Sequence, residues 1–169
     1  MTRTALAPRP LTLEPSGETD VVILRRFDAP RELVFEAFTD AELIPQWMLG
    51  PEGWTMPICE VDLRPGGGYR HVWRKEGEPD LVLNATFDEV QPPERLVSRE
   101  RFNDDWTQGE TVVTTEFEAQ EDGGTLIRMT VRFSSREARD AATRTGMATG
   151  MEAGYERLDG VLATREDSR

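Results

Sequence analysis

The sequence predicts a single α+β domain: a curved antiparallel sheet of six to seven strands wrapped around a long C-terminal helix, with two short helices after the first strand. Three observations carry this. Beyond residue 53, six segments read as strands and are separated from one another by Gly, Pro, Asn or Asp. The last element, from residue 134 to about 163, is free of proline and bears one apolar stripe. Finally, 169 residues with a hydrophobic fraction of 37% supply one core and leave little for a second.

Residues 1–19 hold Pro8, Pro10, Pro15 and Gly17 with little apolar periodicity, so they are expected to form a flexible tail ahead of a domain spanning 20–163. A second short tail is expected over 164–169. The first strand is the β-branched run from Asp20 to Phe27, ending at Asp28-Ala29-Pro30, where proline suits a first helical turn. The helix that follows presents Leu33, Val34, Ala37 and Phe38 on one stripe. Thr39-Asp40-Ala41-Glu42 then offers a capping box for a short second helix through Leu43, Ile44 and Trp47.

Strands are expected at about 54–63, 67–76, 80–90, 95–102, 110–118 and 124–133, and successive antiparallel pairing is the simplest way to join them. In the last of these, Ile127, Met129, Val131 and Phe133 oppose Arg128, Thr130 and Arg132, so one sheet face is covered and the other wet. The first changes phase: Trp54 and Met56 share one parity, Cys59, Val61 and Leu63 the other. A bulge at the intervening Pro57 would reconcile them, because one extra residue switches the face and proline lacks the ladder N–H. The cover for the sheet starts at the capping box Ser134-Ser135-Arg136-Glu137 and extends about 43 Å as one helix. Met147, Met151, Tyr155, Leu158 and Leu162 form its stripe.

Charge and composition exclude several functions. With 32 acidic against 20 basic residues the formal net charge is -12, which repels phosphate backbones and anionic membrane surfaces, so neither nucleic acid nor membrane is an expected partner. Cys59 is alone, which rules out an intrachain disulfide, and the single histidine rules out a two-histidine metal site. No metal or other cofactor is expected. No stretch has the apolar length of an export signal or a membrane span, and a cytoplasmic setting is the natural expectation.

Gly146, Gly150 and Gly154 lie four apart in the expected long helix, although glycine costs a helix interior about 1 kcal/mol relative to alanine. Two accounts fit: the helix backbone packs closely on a neighbour, or side-chain volume is withheld to leave a cavity. At this point the chain resembles the Activator-of-Hsp90-ATPase-like proteins of the START/Bet v 1 superfamily of helix-grip domains, over about residues 20–163. The resemblance rests on Phe27-Asp28-Ala29-Pro30-Arg31-Glu32-Leu33-Val34-Phe35-Glu36-Ala37-Phe38, on Trp47 with Gly50-Pro51-Glu52-Gly53, and on Asp62-Leu63-Arg64-Pro65-Gly66-Gly67. It continues in Pro92-Pro93-Glu94-Arg95-Leu96 and in Gly150-Met151-Glu152-Ala153-Gly154-Tyr155 with Leu158-Asp159. Tyr155 stands where the family usually has tryptophan, an exchange that keeps an aromatic ring with a polar handle. The resemblance implies a pocket between sheet and long helix, but no catalytic motif to carry over residue by residue.

Among residues able to do chemistry, His71 shares a strand face with Tyr69 and Trp73 and is expected to point toward that pocket as a ligand contact or proton donor, the alternatives being a hydrogen-bonded lining residue or an exposed one. Glu100 is in phase with Leu96, Ser98 and Phe102. That puts a carboxylate on an apolar face unless Arg99 and Arg101 define the buried side instead or the strand is an edge with both faces wet. Cys59 reads as a buried structural thiol. Asp62 to Gly68 is glycine-rich but precedes a strand and lacks a Lys-Ser/Thr ending, so it is a hairpin turn and not a phosphate loop.

The expected function is binding of a hydrophobic small molecule, lipid-like or aromatic and polyketide-like, against Tyr69, His71, Trp73, Met147, Met151 and Tyr155. Two alternatives stand beside it: an interaction module for an Hsp90-type chaperone, which the resemblance implies, and a cyclase or hydrolase using His71 or Glu100 as acid or base. Either a monomer or a homodimer is compatible with the sequence.

Overall fold

The computed structural model describes residues 10–167, with the Asp167 side chain excepted. In chain order it contains β1 (Thr12–Ser16), β2 (Asp20–Phe27), α1 (Arg31–Thr39), a 3-10 turn (Ile44–Gln46), β3 (Thr55–Asp62), β4 (Gly68–Arg74), β5 (Leu81–Gln91), β6 (Arg95–Phe102), β7 (Thr111–Ala119), β8 (Thr125–Arg132), α2 (Arg136–Thr143) and α3 (Met147–Asp167). The strands form one curved antiparallel sheet in the order β1-β2-β8-β7-β6-β5-β4-β3. Thus β3 to β8 pair in sequence, and β2 closes onto β8. No described helix is long and apolar enough to cross a membrane.

Four expectations are corrected. Residues 12–16, read as tail, form an eighth strand that pairs with β2 from Thr12↔Leu24 to Ser16↔Asp20 through a turn with Gly17 at φ 59°. An edge position tolerates Pro15, and Leu11 and Leu13 pack on the core, so tertiary contact supplies the order that local composition lacks. The rest of that tail, residues 1–9, lies outside the described residues. The second short helix is only a 3-10 turn, Ile44–Gln46, and the chain turns away soon after it at Gly50, φ 70°, ahead of Pro51. The long helix is two helices, broken where Gly146 adopts φ 86°. Finally, α3 continues to residue 167, through most of the expected C-terminal tail.

Other local readings match the structure. The β3–β4 register shifts between Thr55 and Ile58, a bulge at Pro57, and α2 starts within one residue of the expected box, with Ser135 and not Ser134 as its cap, accepting from the Ala138 N–H at 3.0 Å while the Ser134 hydroxyl donates to the Gln108 carbonyl. A second irregularity, between Phe87 and Glu89 in β5, has no counterpart in the expectations.

Directly opposed residues share a face, so the register places Val21, Val131, Val113, Ser98 and Phe87 in one row across the concave side. A neighbouring row is Tyr69, Ala85, Glu100 and Thr111. Helix α1 closes one end of this concavity with buried Leu33, Val34, Phe35 and Ala37. There the rings of Phe27 and Tyr155 meet edge to face at 5.4 Å, and the Trp47 indole donates to the Ala37 carbonyl at 3.0 Å.

Helix α3 is fastened to the sheet by a buried ion cluster. The Arg25 side chain, 1% exposed, lies on the covered face of β2 beneath Glu152 and Asp159, which are two helical turns apart on α3. Its Nε and Nη2 donate to the two Glu152 oxygens, both at 3.1 Å. Nη1 and Nη2 donate to the Asp159 oxygens at 3.0 and 2.8 Å, and Nη1 also reaches the Arg26 carbonyl at 2.7 Å. Every guanidinium N–H therefore has an acceptor. Burial opposes the charge on Arg25, yet Asp159 and Glu152 outweigh it and hold its pKa above the ordinary value. Glu152 also accepts the Leu11 backbone N–H at 3.0 Å, so one carboxylate ties α3 both to β2 and to the start of β1.

The three glycines have three different causes. Gly146 supplies a left-handed break. A Cβ on Gly150 would touch only the Pro51 ring, at 4.0 Å, whereas one on Gly154 would lie 3.0 Å from the Trp47 carbonyl oxygen. Gly150→Ala is accordingly expected to gain up to about 1 kcal/mol from helix propensity. Gly154→Ala should lose about 1 kcal/mol or more, because a backbone carbonyl cannot move aside. Urea denaturation midpoints shifting in opposite directions check the pair.

Candidate functional site

Between the concave sheet face and α3 lies a cavity of about 520 Å³. Gly150 on α3 borders it and withholds a side chain. The floor comes from the inward parity of the strands, with Leu83 and Phe87 of β5 and Leu96 of β6. The roof is α3, with Met147, Gly150 and Met151. One end is closed by the 3-10 turn and the loop after it, through Trp47, Met48 and Pro51.

All six residues singled out in the sequence lie on this wall: Tyr69, His71 and Trp73 from β4, and Met147, Met151 and Tyr155 from α3. The alternation in β4 and the four-residue spacing in α3 are what brought them there. Tyr155 is the most committed to the core, packing against Phe27 and Trp47, and marks the boundary between core and cavity. The aromatic lining is broader than those six, since Trp54, Trp106 and Phe102 also border the space. Trp73 is held in place by its indole N–H, which donates to the Met48 carbonyl at 2.7 Å and so joins β4 to the end of the 3-10 turn.

One patch of the wall is polar. Glu100 faces the cavity, so the reading that set Arg99 and Arg101 on the buried side is set aside. The Tyr69 hydroxyl donates to Glu100 and lies 2.9 Å from the Ser98 hydroxyl, so Ser98 is the donor to Tyr69 and the chain of bonds runs Ser98 to Tyr69 to Glu100. Burial raises the Glu100 pKa, with the Tyr69 hydroxyl pulling the other way. Burial, followed by the neighbouring carboxylate, raises Tyr69 well above its ordinary value. Sequence phase indicated where Glu100 points, but its pairing with Tyr69 depends on both residues facing Ala85 of β5, which only the register reveals.

His71 is 3% exposed and stacked between rings, with Tyr69 at 4.9 Å and Trp73 edge-on at 5.6 Å. No protein group bonds either of its ring nitrogens. Burial lowers its pKa to about 4, so the imidazole is neutral at pH 7.

Cys59 lies opposite His71 on the β3–β4 ladder but is not part of the cavity wall, and it is half-buried where full burial was expected. The edge position of β3 leaves one flank of it open. Burial, then the charges of Asp40 and Glu60, push its thiol up to about 11, which keeps it protonated at neutral pH.

Sequence reasoning missed the Arg25 cluster. Its trace was available: an arginine in phase with Val21, Ile23 and Phe27 is a charge placed on the covered face, and Glu152 and Asp159 stand seven residues apart on one helix face.

A family model described as Activator of Hsp90 ATPase homolog 1-like protein matches residues 28–163. Among solved structures, a protein from Rhodobacter sphaeroides is 34% identical, with a TM-score of 0.85 over 91% of this chain and 99% of that one. A protein from Mycobacterium smegmatis is 20% identical, with a TM-score of 0.78 over 90% of this chain and 97% of its own. An AHSA1-like protein from Aeromonas hydrophila is 22% identical, with a TM-score of 0.70 over 84% and 93%. The last two share the fold alone. No curated protein matches the sequence.

Proposed function

Because the chain belongs to the Activator of Hsp90 ATPase homolog 1-like family and has the helix-grip fold, we propose that it holds a hydrophobic small molecule, lipid-like or aromatic, between the sheet and α3. The observation that carries this reading is the aromatic cavity of about 520 Å³, within the size range of small-molecule sites. Apolar burial, at about 25 cal/mol per Å², would provide most of the affinity. Met147 and Met151 give the roof side chains that adapt to ligand shape. Tyr69, His71, Trp73 and Tyr155 are the other expected contacts.

All four tryptophans of the chain border the cavity, so their fluorescence reports directly on occupancy. Titration with a panel of fatty alcohols and fused-ring aromatics is expected to give saturable quenching or enhancement at one site per chain. Met151→Trp, which fills the space from the roof, should weaken binding at least tenfold while leaving the urea midpoint near that of the parent. Saturation unchanged by Met151→Trp would show that the ligand binds elsewhere.

The family description supports a second reading, docking on an Hsp90-type chaperone, and the net charge of -12 would favour a basic partner surface. A chaperone ATPase assay with and without the chain distinguishes the two. A changed rate that Met151→Trp leaves intact favours docking.

A further inference from the structure

The polar patch narrows the chemistry of the proposed ligand. Among the described residues no arginine or lysine lines the cavity, and its one acidic side chain is Glu100. An anionic head such as a fatty-acid carboxylate or a phosphate would enter a low-dielectric space beside that acid with no cation to offset its charge. The Ser98 to Tyr69 to Glu100 chain ends on an acceptor, with the Tyr69 proton already placed. Beside it His71 has unused capacity on both ring nitrogens, and a buried polar group left unpaired costs about 1–3 kcal/mol. A neutral imidazole offers one donor and one acceptor. The two lie on opposite sides of the ring, so a ligand group engages one of them: a hydroxyl can pair with either, whereas a carboxylate can only accept and a hydrocarbon does neither.

We infer that the cavity selects uncharged aromatic molecules bearing a hydroxyl, which pairs with His71, and that Glu100 excludes anionic analogues of the same shape. The aromatic walls on either side of the imidazole, Tyr69 and Trp73, hold it in one orientation, so the hydroxyl would define how the ring system enters. The inference rests on the ligand-binding reading above, and the test separates the two.

Naphthalene, 2-naphthol and 2-naphthoate share one ring system and differ only in the group at stake. By tryptophan fluorescence at pH 7, 2-naphthol is expected to bind about tenfold more tightly than naphthalene, the effect of one net hydrogen bond, and 2-naphthoate more weakly than either. His71→Phe should remove the advantage of 2-naphthol over naphthalene when both are measured in that variant, whereas His71→Gln, which keeps a donor and an acceptor, should restore part of it. Glu100→Gln should bring 2-naphthoate close to naphthalene. Equal affinities for naphthol and naphthalene in the parent, or an advantage that persists in His71→Phe, would overturn the assignment to His71 while leaving an apolar binding site standing. Naphthoate binding as well as naphthol would overturn the role of Glu100. Binding of none of the three would count against both this inference and the reading beneath it.

Discussion

Arg25→Ala is expected to destabilise the protein by about 3–5 kcal/mol, the cost of removing one partner from a buried ion cluster. The loss is large because the guanidinium satisfies four carboxylate contacts and a backbone carbonyl at a site where it is 1% exposed. It also stacks at 4.8 Å from the Phe27 ring centroid. Without it Glu152 and Asp159 keep their negative charges beside an apolar face, and two like charges on one side of α3 then repel. Urea denaturation followed by far-UV circular dichroism measures the loss. Replacing Arg25, Glu152 and Asp159 together with apolar residues of similar size should recover most of it, because the penalty comes from uncompensated charge. A loss below about 1 kcal/mol for Arg25→Ala would mean that α3 is held by its apolar stripe alone. Since Met151 and Tyr155 flank Glu152 and line the cavity, loosening this anchor should also broaden the tryptophan emission.

Acidification from pH 6.5 to pH 4 is expected to remove about 3 kcal/mol of stability through His71. In the unfolded chain the imidazole titrates near 6.5, whereas burial in the folded protein lowers that to about 4. The unfolded state therefore binds more protons across this window. The contribution is fully present above pH 6.5 and is lost as the pH falls through about 4. Glu100, whose folded pKa is raised, acts in the opposite sense, since burying its charge is less costly once it is protonated. His71→Phe isolates the histidine contribution: its stability should fall less steeply over the same window. Because His71 is the only histidine, its imidazole resonances can be followed without assignment, and their midpoint should lie near pH 4. A midpoint near 6.5 would mean that the ring is solvated and not packed between Tyr69 and Trp73.

Much of the fold was legible in local pattern. Alternation placed β4 to β8, a change of parity at Pro57 located the bulge in β3, and the box at Ser134 to Glu137 marked the start of α2 to within one residue. The same two periodicities put Tyr69, His71 and Trp73 on one face of β4 and Met147, Met151 and Tyr155 on one stripe of the last helix, and the family resemblance implied the pocket between them. Patterns of this kind fail where order is supplied from far along the chain. Strand β1 has poor local propensity and exists because β2 offers an unpaired edge. The row of three glycines looked like one motif because sequence spacing carries no information about what lies across the helix: a backbone carbonyl at Gly154, open space at Gly150 and a left-handed turn at Gly146.

By itself, then, the sequence determined the α+β class and the order and faces of most elements, which follow from periodicities of two and three to four residues, while the pocket between the β4 and α3 faces was what the family resemblance implied. Only the tertiary structure decided that Arg25 clasps α3, that Tyr69 bonds Glu100 across the intervening β5, and that His71 packs among rings on the cavity wall with no protein partner for its nitrogens. The physical reason is separation: Arg25 and Asp159 are 134 residues apart and Tyr69 and Glu100 are 31 apart, so those contacts depend on register and curvature that local propensity does not encode.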